Sequence, residues 1–133
     1  MSHPARYDEG DPFLAHVRQI CLAFPHAQEK NSHGHPNFFT KKVFAVFGGL
    51  VKGDHEADDY AQSILVLADP DERAGLLNDE RFFLPAYYGA YGWVGLNFRA
   101  GAPDWREVTE LVDASYRNTA GKRMIAELDR RSK

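Results

Sequence analysis

The stretch "NFFTKKVFAVFGG", Asn37 to Gly49, holds two short runs of phenylalanine and valine on either side of Thr40–Lys41, closed by a glycine pair. Aromatic and β-branched residues in short runs bounded by turn formers read as strands, so the segment predicts two strands about a turn near Thr40–Lys41. A connection this short allows antiparallel pairing only. The strand-like pattern extends from Ala27 to about Ala68. Within it, "SHGHP" (Ser32–Pro36) carries turn chemistry at Gly34 and Pro36. "GDHEADD" (Gly53–Asp59) reads as a polar loop, and "SILVLAD" (Ser63–Asp69) as a short apolar strand central in its sheet.

Helical patterns lie on both sides of this block. Asp11 can cap a helix with Pro12 at its first position. Phe13, Val17, Ile20, Cys21 and Phe24 then recur as an amphipathic stripe that Pro25 ends. Asp69, Pro70 and Glu72 form a capping-box-like start for a short helix through Leu77. "RFFLPAYYGAYGWVGLNF" predicts an aromatic loop running into a strand from Gly92 to Phe98. Val94, Leu96 and Phe98 share one face of that strand, and Trp93, Gly95 and Asn97 the other. Asp104 and Glu107 make a second capping box ahead of a helix lined by Trp105, Val108, Leu111, Val112 and Ser115. A weaker helix with Met124, Ile125 and Leu128 follows. The order implies an α+β two-layer sandwich, an antiparallel sheet with helices packed on one face. One domain over 1–133 is expected, with 1–10 and 130–133 flexible.

The bulk numbers narrow the function classes. A chain of 133 residues, 44% hydrophobic and 26% charged, has ordinary globular composition. No apolar run approaches the ~20 residues that span a bilayer, and the N-terminus lacks the apolar core of a secretion signal. The single Cys21 excludes an internal disulfide and fits a reducing, cytoplasmic setting. A net charge of −3 excludes a general electrostatic attraction to nucleic acid, so such binding needs a local basic patch. No membrane contact is expected, and the chain is read as a monomer or weak dimer.

Few residues have the spacing of known chemistry. His33 and His35 lie two apart, but no further ligand stands at a familiar spacing, so no metal is assigned. There is no GxSxG, no GxxxxGK[ST] and no GxGxxG. The acids of "DHEADD" read as a solvated loop. Catalytic residues and cofactors are therefore set at none. The region that stands apart is aromatic: Phe82, Phe83, Tyr87, Tyr88, Tyr91 and Trp93 fall within twelve residues. Such rings either pack a core or form a stacking platform.

Several segments in order resemble the MmcQ/YjbR-like family of small bacterial proteins: "FPHAQE", "GHPNFFTKKVFA", "SILVLADPDERAGLL", "FLPAYYGAYGWVGLNF" and "LVDASYRNTA", from roughly Phe13 to Ala120. The resemblance implies a frataxin-like (CyaY-like) sandwich and a DNA-binding role, without an established enzymatic activity. It places the binding surface at His35, Lys41 and Lys42 on one hairpin and Tyr87, Tyr88 and Trp93 on the other loop. Relatives carry basic residues just before the tryptophan, where this chain has Ala90, Tyr91 and Gly92. Frataxin-type iron chemistry is not expected, because no acidic ridge follows Asp11. The leading expectation is a non-enzymatic nucleic-acid-binding module. In it Lys41, Lys42 and Arg81 contact phosphate while Tyr88, Tyr91 or Trp93 stacks on a base. The alternative is a small-molecule or protein-partner cleft lined by Tyr87, Tyr88, Trp93 and His35.

Overall fold

The computed structural model describes residues 7–49 and 59–131, so Gly53–Asp58 of the expected polar loop lie outside the described residues. The elements follow as α1 (Pro12–Leu22), β1 (Gln28–Ser32), β2 (His35–Phe39), β3 (Val43–Phe47), β4 (Ser63–Leu67), α2 (Pro70–Leu77), β5 (Phe82–Phe83), β6 (Trp93–Asn97), α3 (Trp105–Thr119) and α4 (Lys122–Arg131). The sheet order is β1-β2-β3-β4-β6-β5, with every neighbouring pair antiparallel. This is the α+β architecture expected, with the apolar β4 inside the sheet. Its Ile64 and Val66 face the helices, and Leu65 faces the other way.

The main core lies between the sheet and α1 and α3. Leu14, Val17 and Cys21 of α1 meet Val108, Val112 and Tyr116 of α3 over Phe38, Phe47, Val94 and Leu96. Burying a side chain of this size contributes roughly 1.5–3 kcal/mol. The first helix starts as its sequence predicts, with the Asp11 carboxylate accepting from the Phe13 N–H at 2.9 Å. The second does not close its box: Asp69 occupies the cap position with no side-chain hydrogen bond. At α3, Asp104 accepts from the N–H groups of Arg106 and Glu107, but the Glu107 carboxylate turns to Arg81 instead of back to the cap.

The strand after the aromatic loop is shorter than expected, Trp93–Asn97. Phe98 falls in a 3-10 turn (Phe98–Ala100) because the Asn97 side chain caps the Arg99 N–H. The face assignment is unchanged. Val94, Leu96 and Phe98 enter the main core, and Trp93 lies on the sheet face opposite the helices.

A bulge organises the middle of the sheet. Phe38 pairs with Ala45 and Phe39 with Val43, which leaves Phe44 as an extra residue in β3. Phe44 and Ala45 consequently both enter the main core, while Val43 turns to the opposite face. The Phe44 ring packs 5.3 Å from Tyr116 and 6.0 Å from Phe24. The β3–β4 ladder ends at Ala45–Val66, so the next backbone groups need other partners. Buried Ser115 supplies them: the Leu67 N–H donates to Ser115 Oγ at 2.9 Å, and that hydroxyl donates to the Phe44 carbonyl at 2.6 Å. Asn118 Nδ2 donates to the Leu67 carbonyl at 3.1 Å. One α3 face thus completes two strands.

At the other end of the sheet Arg81 joins β5 to α3. Its guanidinium donates to Asp79 at 2.7–3.2 Å and to Glu107 at 2.7 and 3.1 Å. The Arg81 side-chain hydrogen bonds, aided by the Arg81 backbone N–H, hold the Asp79 carboxyl down at about 2.

Two predictions follow from these contacts. Ser115→Ala strands one buried donor and one buried acceptor and destabilises the fold by about 2–4 kcal/mol in urea unfolding; a loss under 1 kcal/mol would contradict the relay. For Asp79, the folded value lies below the ordinary 3.8, so its contribution to stability is present above pH ~4 and is lost as pH falls through about 2. Carboxyl-carbon NMR should place the Asp79 midpoint near 2 and return it towards 3.8 in Arg81→Met.

Candidate recognition surface

The face of the sheet turned away from α1 and α3 carries a second, smaller core of Val46, Leu65 and Phe83. Val43, Tyr60, Tyr88 and Trp93 pack against it. Gly95 makes room for it: a Cβ there would collide with the Phe83 ring. The Tyr60 ring lies 4.2 Å from Phe83, and the Tyr88 ring 5.2 Å from Trp93. Burial pushes the Tyr88 phenol above its ordinary value. Tyr88 and Trp93 are therefore half-buried supports, each with one side in this small core.

The rest of the loop points out. Leu84, Tyr87 and Tyr91 are 52%, 71% and 79% exposed, three of the four large apolar residues exposed among the described residues. The loop backbone is nevertheless well tied. Gly89 N–H donates to the Pro85 carbonyl at 2.9 Å and Tyr91 N–H to the Tyr88 carbonyl at 2.9 Å. Arg73 of α2 reaches over to donate to the Gly89 carbonyl at 2.6 Å. Leu84 packs so close to Gly89 that a Cβ there would lie 2.7 Å from it. Tyr87 has φ +68°, a left-handed conformation that costs a non-glycine residue roughly 1–2 kcal/mol.

Register locates the other expected site residues. Leu67 pairs with Trp93 and Val66 with Ala45, so the Thr40–Lys42 turn and the aromatic loop stand at the same end of the sheet. Two strand spacings, about 10 Å, separate them. Lys41 and Lys42 are both exposed there. The electrostatics of this end are mixed, since β4 leads directly into the acidic first turn of α2, Asp71 and Glu72.

His35 and Arg81 are not brought to this place. Asn37 pairs with Val46, Phe47 with Ile64 and Ser63 with Asn97, which aligns His35 with the far end of β6. By strand geometry it lies about 13 Å along and about 14 Å across from Trp93, ~20 Å in all. There His35 packs against Gly48. The cleft of Tyr87, Tyr88, Trp93 and His35 therefore lacks its histidine. Arg81 also sits at that far end, its guanidinium engaged by two carboxylates. Neither the strand order nor the partners of Arg81 could be read from the motifs alone.

Among the described residues no three His, Cys, Asp or Glu side chains converge to hold a metal ion. No helix of the described residues is long and apolar enough to cross a membrane. Cys21 is fully buried, and desolvation raises its thiol well above the ordinary range, which leaves little thiolate.

Comparison with known proteins locates this architecture. The crystal structure of Deinococcus radiodurans protein DR2400, with a domain of the DUF419 family, is similar at a TM-score of 0.63 and 18% identity, covering 87% of each chain. At that identity the likeness concerns the fold. No curated protein matches the sequence. The family model YjbR matches residues 22–118, a span that takes in the bulge, the serine relay and the aromatic loop. The chain belongs to the YjbR family.

Proposed function

We propose that this protein is a non-enzymatic binding module for nucleic acid. The ligand contacts the sheet end where the Thr40–Lys42 turn and the aromatic loop stand together. The observation that carries the reading is that convergence: two exposed lysines and two exposed tyrosines within about two strand spacings. A nucleic acid joins phosphates to flat rings at comparable distances, so it uses both features at once. Lys41 and Lys42 take the phosphate contacts. Arg81 has no part in them, because Asp79 and Glu107 already occupy it. His35 has none either, since strand register puts it at the opposite end of the sheet.

The overall charge of −3 sets the form of the interaction. Attraction is local to the lysine turn, and affinity falls steeply with salt only to the extent of those few contacts. The acidic first turn of α2 repels phosphate on its own side and so favours a backbone path over the lysines.

Fluorescence anisotropy with labelled DNA and RNA across a salt series tests this reading. Wild type should show salt-sensitive affinity, and the double variant Lys41→Gln, Lys42→Gln should reduce the log–log salt slope by about 1.4–1.8. An absence of salt-sensitive binding to either nucleic acid near physiological ionic strength would overturn it.

A further inference from the structure

We infer that the nucleic acid bound at this sheet end is single-stranded, with unpaired bases stacked on Tyr87 and Tyr91. The inference rests on the reading above and adds to it the class of ligand.

Three observations support it. First, the loop backbone is held while two of its tyrosines are exposed. Arg73 clamps the Gly89 carbonyl, Leu84 closes on Gly89, and the Tyr88 carbonyl accepts from Tyr91 N–H, yet Tyr87 and Tyr91 remain 71% and 79% exposed. A loop backbone held in this way loses little freedom when a ligand arrives. Second, Tyr87 keeps a left-handed backbone at φ +68°, where glycine would be relaxed. A strained residue that presents its side chain to solvent fits selection for the ring, not for the turn. Third, the charge is too small for a duplex. Duplex binders neutralise on the order of six to ten phosphates, whereas the adjoining turn offers Lys41 and Lys42 on a chain of net charge −3. Stacking must then supply most of the affinity, and the bases of a duplex are already stacked on one another. Free bases stack on any aromatic face, which predicts tolerance of sequence.

The test compares three labelled ligands of equal length, roughly 12 nucleotides to match a short stacking site. They are an oligothymidylate, the same backbone lacking bases, and a duplex. Wild type should bind the oligothymidylate at least about tenfold more tightly than either of the others. Tyr91→Ala and Tyr87→Gly should each weaken that binding about 5- to 100-fold. Tyr87→Gly separates presentation from folding, because it removes the ring and relaxes the backbone together. Its melting temperature should equal or exceed that of wild type while its affinity falls. Equal or tighter binding of the duplex, binding that survives loss of the bases, or unchanged affinity in both tyrosine variants would overturn the single-strand assignment and leave the lysine-based reading standing. Absence of binding to all three ligands would overturn both.

Discussion

The hydroxyl of Ser115 is the contact on which the arrangement of this molecule depends. The bulge at Phe44 turns two successive β3 residues into the core and breaks the ladder to β4, leaving a donor on Leu67 and an acceptor on Phe44. A buried backbone group without a partner costs about 1–3 kcal/mol, so a bulge in mid-sheet needs an outside ligand for its backbone. Ser115 satisfies both groups from α3, and Asn118 takes the next carbonyl. The consequence reaches the surface. Val43 is rotated to the outer face, the lysine turn ends one residue before it, and β4 runs into α2, whose Arg73 holds the aromatic loop.

Much of this was legible in the sequence, and the part that was not has physical reasons. The Asn37–Gly49 hairpin, the Asp11 cap and the division of Val94, Leu96 and Phe98 from Trp93 depend on local periodicity, and local periodicity survives folding. The bulge does not announce itself, because "VFAVF" is apolar at every position and supports either phase. Tyr116 was missed as a core residue. Its ring fills the space beside Phe24 and Phe44 while its hydroxyl donates to the Pro25 carbonyl at 2.8 Å, a partner 91 residues away. Arg81 looked like a phosphate contact because its sequence neighbours do not reveal Glu107, which only the fold brings to it. His35 looked adjacent to the aromatic loop because both flank turns. Strand register, with His35 three strands across and about four residues along from Trp93, sets them ~20 Å apart.

The aromatic loop combines features that stability alone does not call for. Selection for a well-packed domain would bury Leu84, Tyr87 and Tyr91 or replace them with polar residues, and would place glycine at φ +68°. Instead the half-buried pair Tyr88 and Trp93 ties the loop to the small outer core, and the remaining rings face solvent beside a basic turn. His26 and His33 share the positive φ of Tyr87, but neither lies in a cluster of exposed large apolar side chains such as the one this loop presents. The fold is shared with DR2400 at only 18% identity, so chemistry must be argued from such places and not from the fold itself.

The proposed recognition divides the sheet: the end with the Thr40–Lys42 turn takes the ligand and the end with His35 and Arg81 does not. Amide chemical-shift mapping with a short single strand tests it most directly. Perturbations should be confined to Lys41, Lys42 and the Tyr87–Trp93 loop, with the amides of His35 and Arg81 unmoved. Perturbations centred on His35 or Arg81, or spread evenly over the helices, would contradict it.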